Sequence, residues 1–96
     1  MKETYDSECE ICKILSNKNR LKILMGLNRK GMTVSDIVKK TKLPQAVVSQ
    51  HLSMIKLRGI LYTERKGKFV VYKIKYPEFL EAFKIIRKVN KKIQNK

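Results

Sequence analysis

The sequence predicts a mainly α-helical chain with one small β-hairpin, its elements running α-α-α-α-β-β-α. Three observations carry that expectation. Val48, Leu52 and Ile55 recur at i, i+4 and i+7, the period of a helix with a single apolar stripe. Ile60 to Arg65 and Phe69 to Ile74 are runs of β-branched and aromatic residues on either side of Lys66-Gly67-Lys68, which reads as strand, turn and strand. Pro77 opens a last helix in which Phe79, Phe83, Ile86, Val89 or Asn90, and Ile93 make a long apolar seam. The 96 residues make one small domain, residues 1–96, whose own core is marginal and gains from burial against a second copy.

The elements follow from local chemistry in order. A first helix covers roughly Ser7 to Leu15, with Ile11, Ile14 and Leu15 inward. A second runs from about Asn17 to Asn28, where Leu21, Leu24 and Leu27 repeat, Gly26 marks close packing and Gly31 follows the end. Thr33 is an N-cap with Asp36 three residues on, a variant of the capping box, and Ile37, Val38 and Leu43 form the apolar side of a short third helix. Pro44 suits the first position of the helix that follows. Two helices joined by Thr41-Lys42-Leu43 make a helix-turn-helix candidate, although any αα-hairpin shares these signals.

The fourth helix, residues 44 to 58, presents Gln45, Ser49, Gln50, Ser53 and Lys56 away from its apolar stripe. Uncharged amides and hydroxyls leading, with a cation behind, suit the reading of base edges from a helix seated in the major groove. An amphipathic surface helix is the plain alternative, and it more often mixes Glu with Lys. Gly59 ends the helix. The hairpin tip carries Arg65, Lys66 and Lys68 around a glycine free to take positive φ, so it approaches phosphate unobstructed and reads as a wing. Lysines that guard an edge hairpin against aggregation give the same pattern.

These pieces, in this order, resemble the ArsR/SmtB family of winged helix-turn-helix transcriptional repressors. The resemblance runs from Leu15 to about Ile74: Leu15-Ser16-Asn17-Lys18-Asn19-Arg20-Leu21-Lys22-Ile23-Leu24 is similar to the start of the family's second helix, and Val48-Ser49-Gln50-His51-Leu52 to the core of its recognition helix. Gly59-Ile60-Leu61-Tyr62, Arg65-Lys66-Gly67-Lys68 and Val71-Tyr72 resemble its strand, wing and strand. The resemblance implies a homodimer joined by the first and last helices, and operator binding by the helix at 44 to 58. Many members bind metal through a cysteine pair before the recognition helix, where Met32 to Val38 holds none. Others use histidines and acids of the last helix, and residues 77 to 93 hold no histidine.

Charge agrees with a polyanion partner. The formal net charge is +15, with 23 Lys and Arg against 8 Asp and Glu. Residues 1 to 10 set Lys2 against Glu3, Asp6, Glu8 and Glu10, a formal −3, so the remainder carries +18. Clustered positive charge of this size draws phosphate by counterion release. An acidic membrane surface is the competing partner. No apolar run approaches spanning length and no secretory core follows Met1, so a cytoplasmic protein with no membrane partner is expected.

Catalysis has little to stand on. His51 is the only histidine, neither cysteine lies near it in sequence, and there is no phosphate-binding glycine fingerprint. His51 is expected on the helix surface, about 100° around from Gln50 and bonded to backbone or phosphate. Cys9 and Cys12 share one helix face and could take a soft metal or an oxidant, yet a lone Cys-x-x-Cys is half a tetrahedral site, and both thiols could simply pack as small apolar groups. No cofactor or metal is assigned.

The chain is therefore read as a dimeric, sequence-specific DNA-binding repressor of double-stranded, palindromic operators. Gln45, Ala46, Ser49 and Gln50 are expected at base edges, Ala46 against a thymine methyl, with His51 beside them. Lys42, Arg65, Lys66 and Lys68 are expected on phosphates. A basic chromatin-like or RNA-binding module with little sequence preference is the main alternative. A protein whose last helix docks another chain is a second.

Overall fold

The computed structural model describes residues 5–95, so Lys2 and Glu3 of the acidic segment lie outside the described residues. The elements are α1 (Asp6–Leu15), α2 (Lys18–Gly26), α3 (Val34–Thr41), α4 (Gln45–Leu57), β1 (Leu61–Lys66), β2 (Phe69–Ile74) and α5 (Glu78–Gln94), in the predicted order. The strands pair antiparallel from Leu61↔Ile74 to Lys66↔Phe69, and Met32 adds an isolated bridge to Tyr72.

Side chains of α2, α3, α4 and β1 meet in one core. Ile23, Leu24, Ile37, Val48, Leu52, Ile55 and Leu61 are almost wholly removed from water, each worth roughly 1.5 to 3 kcal/mol of apolar transfer. The stripe predicted for α4 is thus its buried face. Asn17 caps α2 by accepting hydrogen bonds from the backbone N–H groups of Asn19 and Arg20 at 3.0 Å each. Arg20 Nε in turn donates to the Ile14 carbonyl at 3.0 Å, tying α1 to α2.

Several boundaries and faces differ from the sequence expectation. The second helix stops at Gly26 rather than Asn28, because the backbone turns extended at Leu27. A Cβ at Gly26 would meet only Lys40 and Thr41 side-chain atoms at 3.8 Å or beyond, so close packing is not what places glycine there. The tight glycine is Gly31: its φ is +87°, and a side chain would collide with Val71 and Lys73 of β2. Pro77 caps α5 instead of forming its first turn. Ile11, expected inward, is exposed, since α1 buries Ile14 fully and Leu15 partly.

The last helix sits apart. It meets the core through Phe79, Leu80 and Phe83, all near its start. Ile86, Val89 and Ile93 continue the seam with none of the described residues covering them, at 52%, 47% and 58% exposure. The radius of gyration, 14.6 Å, exceeds the value of about 12.5 Å usual for this length.

Candidate nucleic-acid interface

The helix-turn-helix is built by two local devices. Thr33 and Asp36 complete a reciprocal capping box, each side chain accepting the other's backbone N–H at 3.1 Å, which fixes where α3 starts. At the other end the buried Thr41 hydroxyl donates to the Ile37 carbonyl at 2.7 Å and accepts from Leu43 N–H at 3.3 Å. Lys42 between them takes the left-handed conformation, φ +64°, the only non-glycine to do so among the described residues. That conformation costs a side-chain-bearing residue about 1 to 2 kcal/mol, so the sharp turn is held by its neighbours. Pro44, at φ −59° and ψ 145°, then leads into α4.

Opposite the buried stripe of α4 lies an exposed line formed by Ala46, Gln50, Ser53 and Leu57, at spacings of four, three and four. Leu57 is 85% exposed at its far end. Gln45 and Ser49 sit on one flank of this line, Gln45 exposed and Ser49 half-buried. The four residues expected at bases therefore divide into an outermost pair, Ala46 and Gln50, and a flanking pair.

The flank carrying Gln45 faces the hairpin. Gln45, Lys68, Phe69 and Val70 line one groove of about 400 Å³ with Val34 and Ser35 at the start of α3. One predicted base-reading side chain and one predicted phosphate-binding side chain thus border the same space, 23 residues apart in sequence. Register pairs Lys66 with Phe69, leaving Gly67-Lys68 as a two-residue loop. Gly67 has φ +61° while Lys68 does not turn positive, the pattern of a type II′ turn.

Electrostatics single out the wing tip. Glu64 binds Lys73 across the hairpin, and that hydrogen bond with its charge holds the carboxyl below, and the ammonium above, their ordinary values. The two charges cancel at the base of the wing. Arg65, Lys66 and Lys68 are exposed, and none joins an ion pair among the described residues. The Lys68 ammonium lies 5.6 Å from the centre of the exposed Phe69 ring, a cation–π arrangement.

His51 stands on the other side. It is half-buried toward α2, where burial first and the Arg20 guanidinium second hold its imidazole below the usual histidine range. Among the described residues no hydrogen bond joins it to backbone, which leaves phosphate as the expected partner. Sequence reasoning missed Ser35, and it placed Ser53 on the polar face of α4 without assigning it a contact. Ser35 is exposed on the first turn of α3 and lines the groove, and Ser53 completes the outer line of α4. Helical spacing marks Ser53; only the packing of α3 against β2 marks Ser35.

Residues 17–63 match the model of the bacterial regulatory proteins of the arsR family. Over 88 residues the chain is 34% identical to the transcriptional repressor PagR of Bacillus anthracis, covering 90% of this chain and 87% of that protein. The crystal structure of PagR superposes with a TM-score of 0.74 at 32% identity, over 84% of this chain and 93% of that one. The HTH-type transcriptional repressor SmtB of Mycobacterium tuberculosis is 32% identical over 73 residues, which cover 76% of this chain and 54% of SmtB. The chain spans about half the length of that relative. The crystal structure of M. tuberculosis Rv0081 shares the fold, with a TM-score of 0.84 over 99% of this chain and 96% of that one at 24% identity. With its winged helix-turn-helix and these relatives, the chain belongs to the arsR family of bacterial regulatory proteins, which are DNA-binding transcriptional regulators and not enzymes.

Proposed function

We propose that residues 1–96 act as one cytoplasmic domain that pairs into a two-fold dimer and represses transcription from a palindromic operator. The observation that carries this reading is the groove shared by Gln45 of α4 and Lys68 of the wing, beside the exposed line Ala46, Gln50 and Ser53. With α4 in the major groove, Ala46 and Gln50 reach base edges first, and Gln45 and Ser49 reach them from the flank. Lys42 in the turn and Arg65, Lys66 and Lys68 on the wing hold phosphates on either side. His51, turned toward Arg20, lies at the margin of the contact.

The dimer is supported by what α5 leaves open. Ile86, Val89 and Ile93 form an apolar line that no other element among the described residues covers. Charge favours the first helix as a second contributor: Asp6, Glu8 and Glu10 of α1 are exposed, while Lys84, Arg87, Lys88, Lys91 and Lys92 make the basic face of α5. A two-fold arrangement presents two copies of α4 to two half-sites, which makes the preferred DNA palindromic.

Selection from random duplexes together with sedimentation tests both parts. A palindromic motif and twice the monomer mass at micromolar protein are expected. Enrichment without a motif would instead support a basic module with little sequence preference, and a persistent monomer would remove the reason for a palindrome.

A further inference from the structure

We propose that Cys9 and Cys12 form a dithiol–disulfide modification site that sets the position of α1 against the recognition helix and so controls operator affinity. The proposal rests on the dimer reading above for the size of its effect. Both thiols are free and exposed, three residues apart in the first two turns of α1. Ile14 marks the buried face of that helix, and the two cysteines lie on the side away from it.

The turn that holds them is easy to remodel. Tyr5 precedes α1 with no side-chain cap, and the Cys9 N–H to Tyr5 carbonyl bond of 2.9 Å is the bond that closes the first turn. The Cys12 carbonyl accepts the C-cap bond from Ser16 N–H, also 2.9 Å. The two cysteines thus terminate the backbone ladder of α1 at both ends. Helical spacing keeps their Cβ atoms about 5 to 6 Å apart, whereas a relaxed disulfide needs roughly 3.5 to 4.5 Å. Closing the bond therefore draws in the segment between them.

That segment contains Glu10. Its carboxylate lies 3.6 Å from Arg58, the residue that caps the C-terminus of α4, and 3.9 Å from Lys13. The pair with Arg58 links the thiol-bearing turn to the recognition helix. An exposed pair of this kind holds weakly by itself, so what matters is the backbone movement that breaks it and shifts α1 as a whole.

Oxidation by a peroxide balances with one oxidant. One thiolate sulfur attacks a peroxide oxygen and becomes a sulfenic acid, and the leaving hydroxide takes up the thiol proton to become water. The second thiol attacks the sulfenyl sulfur, forming the S–S bond and releasing a second water. The pair loses two electrons and two protons, and one hydrogen peroxide becomes two waters. An added dithiol reverses the step by exchange.

The test uses the full chain, purified reduced, treated with hydrogen peroxide and mapped by alkylation and peptide mass. An internal Cys9–Cys12 bond is expected. Its formation should weaken binding to a duplex selected by the reduced protein at least about tenfold and lower self-association in sedimentation. Dithiothreitol should restore both, and Cys9→Ser or Cys12→Ser should abolish the response. In the reduced protein Glu10→Gln should weaken binding by less than about threefold, because it removes the pair without moving the backbone. Thiols that stay unreacted in the native protein, bonds between copies only, or equal affinity of oxidised and reduced chains would overturn the proposal. A reduced protein that selects no motif would sink the operator reading, while bond mapping and sedimentation would still decide the dithiol.

Discussion

The two longest helices use similar apolar residues to opposite ends. Val48, Leu52 and Ile55 of α4 are fully buried, while Ile86, Val89 and Ile93 of α5 remain about half exposed. Both helices carry their apolar residues at a helical repeat. What differs is the supply of partners within the chain: α2, α3 and β1 surround α4, whereas only the start of α5 reaches that core, through Phe79, Leu80 and Phe83. An apolar stripe states that a face needs covering and not what covers it. The exposed line on α5 is what the proposed dimer would cover.

The largest expected effect contrasts those stripes directly. Leu52→Ala should cost about 3 kcal/mol of folding stability, by transfer plus the cavity left behind, measured by urea unfolding at fixed protein concentration. Ile86→Glu should leave the helical content of the chain in place and move its sedimenting mass toward the monomer. If the second variant unfolds the chain as badly as the first, α5 belongs to the core and the contrast is lost.

A smaller effect separates the two kinds of contact within the DNA interface. Gln50→Ala or Ser49→Ala should weaken binding to the selected duplex by about 1 to 3 kcal/mol and relax its sequence preference. Lys68→Ala should weaken all duplexes alike and flatten the salt slope by about one. The same loss on selected and random DNA for all three variants would mean that α4 contributes charge and bulk rather than base reading.

Next comes the turn that aims α4. Thr41→Val removes a hydroxyl that is bonded on both sides and leaves the Leu43 N–H without its acceptor, at a cost of about 1 kcal/mol. Operator affinity should fall by more than stability if the turn positions the helix. A melting curve beside a binding isotherm distinguishes the two.

The smallest effect is the pH dependence from His51. Burial and Arg20 lower its folded pKa, so the unfolded chain takes up a proton first as pH falls. Its contribution is therefore absent as a penalty above the unfolded value of about 6.5, and stability is lost progressively as pH drops from there toward the lower folded value. The melting temperature of wild type should fall more between pH 7.5 and 5.5 than that of His51→Gln. Parallel curves would place the imidazole in water rather than against α2.

Local rules accounted for much of the fold because its signals are short in range. The Thr33 capping box, the α4 stripe and the Gly67 turn each depend on residues within a few positions of one another, and each formed where its chemistry placed it. Ile11 and Gly26 failed for a common reason. Period and glycine content indicate that a face is apolar or narrow, but whether another element approaches it depends on distant chain segments.

For the candidate site, the sequence alone determined which side chains α4 and the wing carry and which way the α4 stripe turns, since a 3.6-residue period opposes Val48, Leu52 and Ile55 to Ala46, Gln50 and Ser53. Tertiary structure decided that Gln45 and Lys68 border one groove with Ser35, that His51 turns to Arg20, and that Glu10 reaches Arg58. Those pairings join residues 10 to 48 positions apart. They arise from the angles at which α1, α2 and the hairpin pack on a shared core, a property of summed side-chain volumes that no local pattern encodes.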